Sequence, residues 1–243
     1  MKRHTKIWQS VVAVIGLMVV AASADAAGNS SRVVEPGQQF FGKSYHELAS
    51  EWTNWLVVEP IATNPAFDPD GRFCDRNQQG KVWFLASTFG GIANRTCEIP
   101  AGKAIFISLG GVFVSFSPDF PAMGDPCLQM ATDLEQVRCD VNNDVPLAPN
   151  ISFEVIIDGV PVEDLFAFRA QRQPGGFTLR IPNQSLLTDF GFSAGNRSPA
   201  VADGYFLFFK PLTPGEHTLQ PHHDQSRPVR KGRQLYIDSF STP

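Results

Sequence analysis

Short apolar runs separated by Gly and Pro dominate the chain from residue 80 onward. Residues 82–86 (VWFLA) and 104–109 (AIFISL) have the length of strands, and a turn-like Pro100-Ala101-Gly102 stands between them. Continuous apolar runs of this length are typical of strands that are covered on both faces. Residues 112–116 are expected to pair back onto 104–109 as a hairpin across Gly110-Gly111.

From residue 151 the pattern is that of β-structure throughout. Phe153, Val155 and Ile157 alternate with polar neighbours, Asp158-Gly159 is a two-residue hairpin signal, and Pro161 confines the returning strand to a sheet edge. Further strands are predicted at residues 177–181, 205–209, 216–220 and 235–240, with residues 183–203 as a long polar connection. These short strands with Pro/Gly turns predict a mainly β fold, an antiparallel β-sandwich of the immunoglobulin-like or jelly-roll-like kind.

One amphipathic helix is predicted before the strands. Ser44 and Glu47 have the spacing of a capping box, and Pro60 ends the segment. Apolar residues follow at helical spacing: Tyr45, Leu48, Ala49, Trp52, Trp55 and Leu56. Trp52 and Trp55 have two interpretations, as a platform that binds a sugar or another flat ligand, or as packing of the helix on a sheet. The apolar stripe favours packing.

The N-terminus has the layout of a secretory signal peptide. Three basic residues precede an apolar stretch at 7–20, and small residues in A-x-A register run up to Ala26. The stretch is short for a membrane anchor, and no second apolar span follows. We therefore expect a signal peptide at 1–26, a flexible arm at 27–43 and a single domain at 44–243, located in the periplasm or secreted, with no membrane span in the mature chain.

Charge and composition limit the classes of partner that we expect for this chain. The formal net charge is −4, which argues against nucleic-acid binding because that function needs a basic face. Twenty Phe against three Tyr indicate a large core, since Phe buries area without needing a hydrogen-bond partner.

The four cysteines are expected to form disulfides, because an even number in an exported chain is typical of that state. Cys74–Cys97 and Cys127–Cys139 are the favoured pairs because they close short loops. An unbroken helix over 125–139 would hold its two cysteines ~18 Å apart. Either that segment breaks near Thr132-Asp133, or the pairing differs; residues 117–145 are interpreted as an irregular, disulfide-stapled insertion.

Candidate catalytic residues are Asp203, His217 and Glu51, as carboxylates or an imidazole that could meet in a cleft. The alternative for Asp203 is that Asp203-Gly204 caps a turn. His222, His223 and Asp224 follow His217 and could ligate zinc or copper with it. The alternative is a solvated loop, with the strand register broken at Pro221.

Calcium is a further candidate at the turn-rich segment that contains Asp68, Asp70 and Asp75. The segment lacks the spacing and the distal Glu of an EF-hand, and ordinary turn capping by Asp explains it equally well. No cofactor is therefore predicted, with calcium or zinc as the alternatives. The Gly-x-Ser-x-Gly motif of hydrolases is absent from the sequence.

Several segments together resemble a family of uncharacterised secreted bacterial proteins. They are residues 82–86 (VWFLA), 97–104 (CEIPAGKA), 203–205 (DGY) and 212–218 (LTPGEHT), preceded by a Trp-rich helix that Trp52 and Trp55 match. The resemblance covers roughly residues 44–220. It implies export and a β-rich fold, and it carries no established activity.

Two functional hypotheses follow. The first is an exported binding or envelope protein whose ligand is a glycan, an envelope component or a partner protein. The second is a secreted hydrolase or lyase that acts through carboxylates or through a histidine-based metal site.

Overall fold

The structure, a computed structural model, describes residues 32–89, 93–115, 126–144, 152–170, 175–224 and 239–242. The predicted signal peptide lies outside these ranges, as does most of the predicted strand at 235–240. In the described part of the chain, no helix is both long enough and apolar enough to span a membrane.

The described residues form three α-helices and nine strands. The helices are α1 (Tyr45–Val58), α2 (Asp133–Asp144) and α3 (Leu186–Asp189). The strands are β1 (Val82–Leu85), β2 (Asn94–Thr96), β3 (Ala104–Ser115), β4 (Ser152–Ile157), β5 (Val160–Pro161), β6 (Phe177–Ile181), β7 (Gly195–Phe209), β8 (His217–Asp224) and β9 (Ser239–Thr242). Single 3-10 turns lie at Ile61–Thr63, Pro65–Phe67, Pro126–Gln129 and Leu165–Phe168.

The strands form two sheets, in the orders β1-β3-β7-β6 and β2-β9-β8-β4-β5. Most neighbours are antiparallel, but β1 pairs with β3, and β2 with β9, in parallel. The first parallel pair arises because the chain leaves β1, contributes β2 to the other sheet and returns to β3 in the same direction. The fold is thus mixed α and β, which corrects the expectation of a mainly β, wholly antiparallel architecture.

The predicted hairpin at Gly110-Gly111 is wrong. Residues 104–115 form one strand, β3, which follows β7 with a register shift between Ser108 and Gly110. A Cβ added to Gly111 would lie 2.6 Å from the carbonyl oxygen of Asp203, and one added to Gly204 would lie 2.5 Å from that of Gly110. The glycines therefore mark a close approach of two strand backbones, which the sequence pattern does not distinguish from a turn.

The long polar connection predicted at 183–203 is also wrong. Ser185 caps the short helix α3, and β7 begins at Gly195. The polar first residues of β7 pair with β6, for example Arg197 with Leu179. They belong to a strand because this pairing satisfies the hydrogen bonding of their backbone N–H and C=O groups, although their side chains are not apolar.

Helix α1 is confirmed, together with its capping box. The Ser44 hydroxyl accepts from the Glu47 N–H, and the Glu47 carboxylate accepts from the Ser44 N–H. The apolar stripe packs on the four-stranded sheet, where the Trp52 ring meets Phe206 edge-on at 5.8 Å. Ring stacking between Phe106 and Phe206, at 5.1 Å, continues this core.

The Asp158-Gly159 hairpin between β4 and β5 is confirmed. Both residues have a positive φ, +51° and +77°, as a type I′ turn requires. Strand β5, which contains Pro161, lies at the edge of the five-stranded sheet, as the missing N–H of proline predicts.

Both disulfides are formed as predicted, Cys74–Cys97 and Cys127–Cys139. The helical segment does break before Asp133: a 3-10 turn contains Cys127, and the Thr132 hydroxyl accepts from the Glu135 N–H at the start of α2. This break brings the two Cα atoms of the second pair to 5.5 Å. The insertion is nevertheless less irregular than predicted, because α2 has twelve residues.

The described part of the N-terminal arm is docked and does not behave as a loose segment. Val33 and Val34 are 2% and 1% exposed, and the Val34 N–H donates to the carbonyl of Phe208. The Tyr45 hydroxyl donates to the Val34 carbonyl in return. These contacts correct the expectation of a flexible arm, because two adjacent valines bury their side chains in the main core.

The two sheets contribute to one hydrophobic cluster. Leu85, Ile105 and Phe209 of the four-stranded sheet line a small gap of about 20 Å³ together with Ile157 and Leu219 of the five-stranded sheet. This shared gap lies beside the cleft described next.

Candidate functional site: a cleft between two turns

A cleft of about 180 Å³ opens where the turn before β3 meets the turn before β8. We call it the turn cleft. Residues 99–103 and Ile105 line one side, and residues 212–215 with His217 line the other. Both segments belong to the motifs that carry the family resemblance, and only the tertiary structure brings them together.

Apolar side chains form much of the cleft lining. Ile99 and Leu212 are partly buried against the main core, and Ile105 is buried in it. Pro100 and Pro214 stiffen the two turns because proline restricts φ. The cleft therefore offers an apolar surface held by two short, restricted loops.

Among the described residues, Lys103 is one of two cationic side chains that line the cleft. Its Nζ donates to the carbonyl oxygen of Gly80. An ammonium carries three N–H donors, so one backbone acceptor leaves donor capacity for a ligand. Among the described residues, Lys103 forms no ion pair.

His217 is the second cationic side chain of the cleft lining. Each of its two ring nitrogens faces a hydrogen-bond acceptor. Nδ1 lies 2.9 Å from Oδ2 of Asp158, and Nε2 lies 2.7 Å from the carbonyl oxygen of Thr213. Only the imidazolium form can donate to both. Burial alone lowers the pKa of His217, but the hydrogen bonds to Thr213 and Asp158 outweigh it and leave the pKa raised.

Asp158 holds this side of the cleft in place. Its Oδ2 also accepts from Arg32 at 2.8 Å, and its Oδ1 accepts from the Thr218 N–H at 3.0 Å. Burial opposes ionisation, but the His217, Thr218 and Arg32 donors prevail and the pKa of Asp158 is lowered. With His217 in the imidazolium form, one carboxylate faces two cations, and the group of Arg32, Asp158 and His217 carries one net positive charge.

Asp203 lies elsewhere, in the middle of β7. Its carboxylate is 1% exposed and accepts from Arg169 Nε and Nη2 at 2.8 and 2.6 Å. Asp203-Gly204 is thus not a turn. Asp203 is six residues along β7 from Phe209, which borders the gap beside His217, and it does not line the turn cleft.

Other titratable groups surround the Arg169–Asp203 pair. Burial lowers the pKa of His46, which the charge of Asp203 partly opposes. Burial also raises the pKa of Tyr205. Asn142 of α2 accepts a further hydrogen bond from Arg169 at 3.3 Å, so this group ties the disulfide-stapled insertion to the sheet.

Glu51 does not join His217 or Asp203. It lies on the exposed side of α1, where it pairs with Lys43. The three predicted catalytic residues therefore occupy three separate surroundings: Asp203 and Glu51 each face a basic side chain, and His217 faces two acceptors.

Trp52 and Trp55 are in the core, 5% and 6% exposed. The Trp52 indole N–H donates to the Leu85 carbonyl and that of Trp55 to the Arg76 carbonyl, both at 2.8 Å. The packing interpretation applies to both residues. The ligand-platform interpretation is wrong, because burial leaves neither ring open to a ligand.

His222, His223 and Asp224 belong to strand β8, so the predicted loop is wrong. Pro221 does not break the strand: it pairs with Val155 on one side, while β9 pairs only with residues 217–219. The side chains of residues 222–224 lie outside the described part of the structure.

The acidic turn at 68–75 is held by its own hydrogen bonds. The Asp68 carboxylate accepts from the N–H groups of Gly71 and Phe73 at 3.1 and 2.7 Å, and Asp70 pairs with Arg72. Turn capping accounts for these carboxylates. Within the described ranges, no group of three or more His, Cys, Asp or Glu side chains is arranged to hold a metal ion.

An exposed aromatic cluster is the second surface feature. Phe89 and Phe190 are 37% and 41% exposed, with ring centroids 5.6 Å apart. Phe67 stacks on Phe89 at 5.0 Å. The cluster shares no residue with the turn cleft.

Sequence reasoning missed Asp158, Arg32, Lys103 and Arg169 as site residues. Asp158 was assigned only to a hairpin turn, and its carboxylate also organises His217. The proximity of residues 99–103 and 212–217 depends on the pairing of distant strands, for which the local pattern contains no signal.

Comparisons of this chain with protein-family models, with curated proteins and with solved structures gave no match.

Proposed function

We propose that this chain is an exported binding protein whose ligand occupies the turn cleft. The observation that carries the proposal is the meeting of an apolar lining with two cationic side chains, Lys103 and His217, in one solvent-accessible concavity. Ligand sites of proteins combine a mostly apolar surface with a few placed polar groups in this way.

Export is part of the proposal. Two disulfides are formed in the chain, a state that persists in the periplasm and outside the cell. The signal-peptide pattern at 1–26 and the resemblance to secreted bacterial proteins support the same location. A sandwich-like packing of the two sheets is also proposed, supported by their shared hydrophobic cluster.

A hydrolase or lyase is the weaker alternative. Asp203 and Glu51 each face a basic side chain, and His217 uses both ring nitrogens. A general base needs an unoccupied nitrogen or oxygen within reach of its substrate. The arrangement of these three residues favours binding.

A cleft-filling variant tests the proposal. Ala101 is exposed and lines the cleft, so Ala101→Phe should block it without disturbing the core. Ala167→Phe, at an exposed position outside the cleft, is the matched control. Wild type and both variants are screened by NMR against a small-molecule fragment library, and by pull-down from envelope fractions and on glycan arrays.

We expect ligands that shift the amide resonances of Gly102 and Gly215 in wild type and in Ala167→Phe, but not in Ala101→Phe. Binding that survives Ala101→Phe would place the ligand elsewhere and overturn the proposal. A screen without any ligand of the cleft would also overturn it.

A further inference from the structure

We propose that the ligand of the turn cleft is a small aliphatic carboxylate. This inference rests on the proposed function and names the chemical class that the site would select. The class includes a free short-chain acid and the carboxyl terminus of a peptide that ends in a small apolar residue.

Local charge selects an anion. Lys103 contributes one positive charge, and the group of Arg32, Asp158 and His217 contributes another. Asp158 stands behind His217 and does not itself line the cleft, and none of the described lining residues is acidic. The chain as a whole has a formal net charge of −4, so the cleft is a positive site on an acidic protein.

The cations are held in place before a ligand arrives. His217 is fixed at both ring nitrogens by Asp158 and Thr213, and Lys103 is anchored at Gly80. His217 has no N–H left for a ligand and acts through its charge, whereas Lys103 keeps N–H donors. Because both groups lose little conformational freedom on binding, their interaction with an anion is stronger than that of a mobile surface lysine.

Size and lining select a short aliphatic group. The volume of about 180 Å³ is below the roughly 300–1,000 Å³ of typical drug-sized pockets. Ile99, Ile105 and Leu212 offer branched aliphatic contacts for a chain of a few carbons. The described part of the lining contains no Phe, Tyr or Trp, so it favours an aliphatic group over a ring-stacking ligand.

Proton binding at His217 couples affinity to pH. The charged groups that face His217 are Asp158 of the β4–β5 turn and Arg32 of the N-terminal segment. Lys103 lines the opposite turn. Glu216, which precedes His217 in the chain, is exposed. Loss of the His217 proton removes one cation and one hydrogen bond of the Thr213 turn, so carboxylate affinity falls as pH rises through the pKa of His217.

The test compares butyrate with butyramide, a neutral molecule of nearly the same shape, in NMR titrations of the full mature chain. We expect butyrate to shift the Gly102 and Gly215 amides and to bind about tenfold or more tightly than butyramide, as loss of a charge-assisted contact implies. Lys103→Gln should abolish most of this preference. Lys43→Gln removes a charge just before α1, outside the cleft, and should keep it.

Two further probes separate the sources of the carboxylate. Acetyl-Ala-Val with a free carboxyl terminus competes with butyrate if peptide termini are accepted, and its C-terminal amide should not. If only the free short-chain acid binds, the ligand is a small metabolite-like acid.

Equal affinity for butyrate and butyramide, or full binding by Lys103→Gln, would overturn the carboxylate inference and leave the cleft as a binding site. So would a fragment screen whose cleft ligands are all neutral or cationic. A cleft that binds none of the fragments would overturn this inference and the proposed function together.

Discussion

Arg169 forms a two-point ion pair with Asp203 in the middle of the structure, with Nε–Oδ1 and Nη2–Oδ2 distances of 2.8 and 2.6 Å. The Asp203 side chain is 1% exposed and the Arg169 side chain 14%. The hydrogen bonds to Asp203 raise the pKa of Arg169. We propose from this geometry that Asp203 contributes to the stability of the fold.

Breaking the pair should destabilise the fold strongly. Arg169→Met leaves a buried, unpaired carboxylate and should cost about 3–5 kcal/mol of unfolding free energy. Denaturant unfolding of wild type and variant measures this. The double variant Arg169→Met/Asp203→Leu should lose clearly less than the sum of the single losses. Lys43→Gln, which breaks an exposed pair with Glu51, should cost less than about 1 kcal/mol.

The opposite result would change the assignment of Asp203. An Asp203→Asn variant with the melting temperature of wild type and a lost activity would return this residue to a catalytic role.

Close backbone contact at Gly204 predicts a second destabilising substitution. In Gly204→Ala the new Cβ would meet the Gly110 carbonyl oxygen at 2.5 Å, so β3 and β7 must separate locally. We expect a loss of about 3 kcal/mol in unfolding free energy, at the upper end of overpacking effects. Gly175→Ala is the matched control, since no atom lies within 4 Å of its added Cβ, and it should change stability by less than about 0.5 kcal/mol. Similar melting curves for the two variants would contradict the proposed strand contact.

His217 predicts a pH-dependent contribution to stability. Its pKa is raised in the folded state, so the stabilisation is fully present below about pH 6.5, the unfolded value, and is lost as pH rises through the folded pKa. The effect should not exceed about 1 kcal/mol, because the group is partly solvated. Melting temperatures of wild type and His217→Gln should therefore differ by a few degrees near pH 6 and converge at alkaline pH.

Asp158 contributes to the loss of stability at acidic pH. Its pKa is lowered in the folded state, so its contribution is present above about pH 3.9 and is lost as pH falls through the folded pKa. A difference between wild type and His217→Gln that stays constant from pH 5 to pH 9 would disprove the paired imidazolium.

The disulfides should contribute comparable amounts. Sequence separations of 23 for Cys74–Cys97 and 12 for Cys127–Cys139 correspond to about 3.4 and 2.8 kcal/mol from restriction of the unfolded chain. Pairwise Cys→Ser variants, followed by urea unfolding, measure each. The Cys74/Cys97 variant should lose more, because Cys97 is also completely buried in the main core. A larger loss for the Cys127/Cys139 variant would contradict this order.

Local patterns predicted the elements whose cause is local. The α1 capping box needs only Ser44 and Glu47, and the type I′ hairpin needs only Asp158 and Gly159. The distance between two cysteines on one helix left two alternatives open, a break near Thr132-Asp133 or a different disulfide pairing. For the capping box and the hairpin, residues near in sequence determine the backbone geometry, so the sequence alone was sufficient.

Long-range pairing accounts for the predictions that failed. Gly110-Gly111 is compatible with a turn or with a close strand contact, and only its position opposite Gly204 makes it the latter. The sequence Asp203-Gly204 is compatible with a turn. In the structure Asp203 lies within β7, where its buried carboxylate pairs with Arg169, 34 positions away. The polar start of β7 belongs to a strand because β6 pairs with it.

The sequence by itself determined the helix, the hairpin and the apolar strands of the core, because each depends on residue type and short spacing, and it favoured the two disulfide pairs over other pairings. The tertiary structure alone decided which strands run in parallel, where Asp203 is neutralised, and how the turns at 99–103 and 212–217 form one cationic cleft. The physical reason is that hydrogen bonds between strands and ion pairs in the core join residues that are close in space but far apart in the chain. The separation of two residues along the chain does not predict how close they lie in the fold.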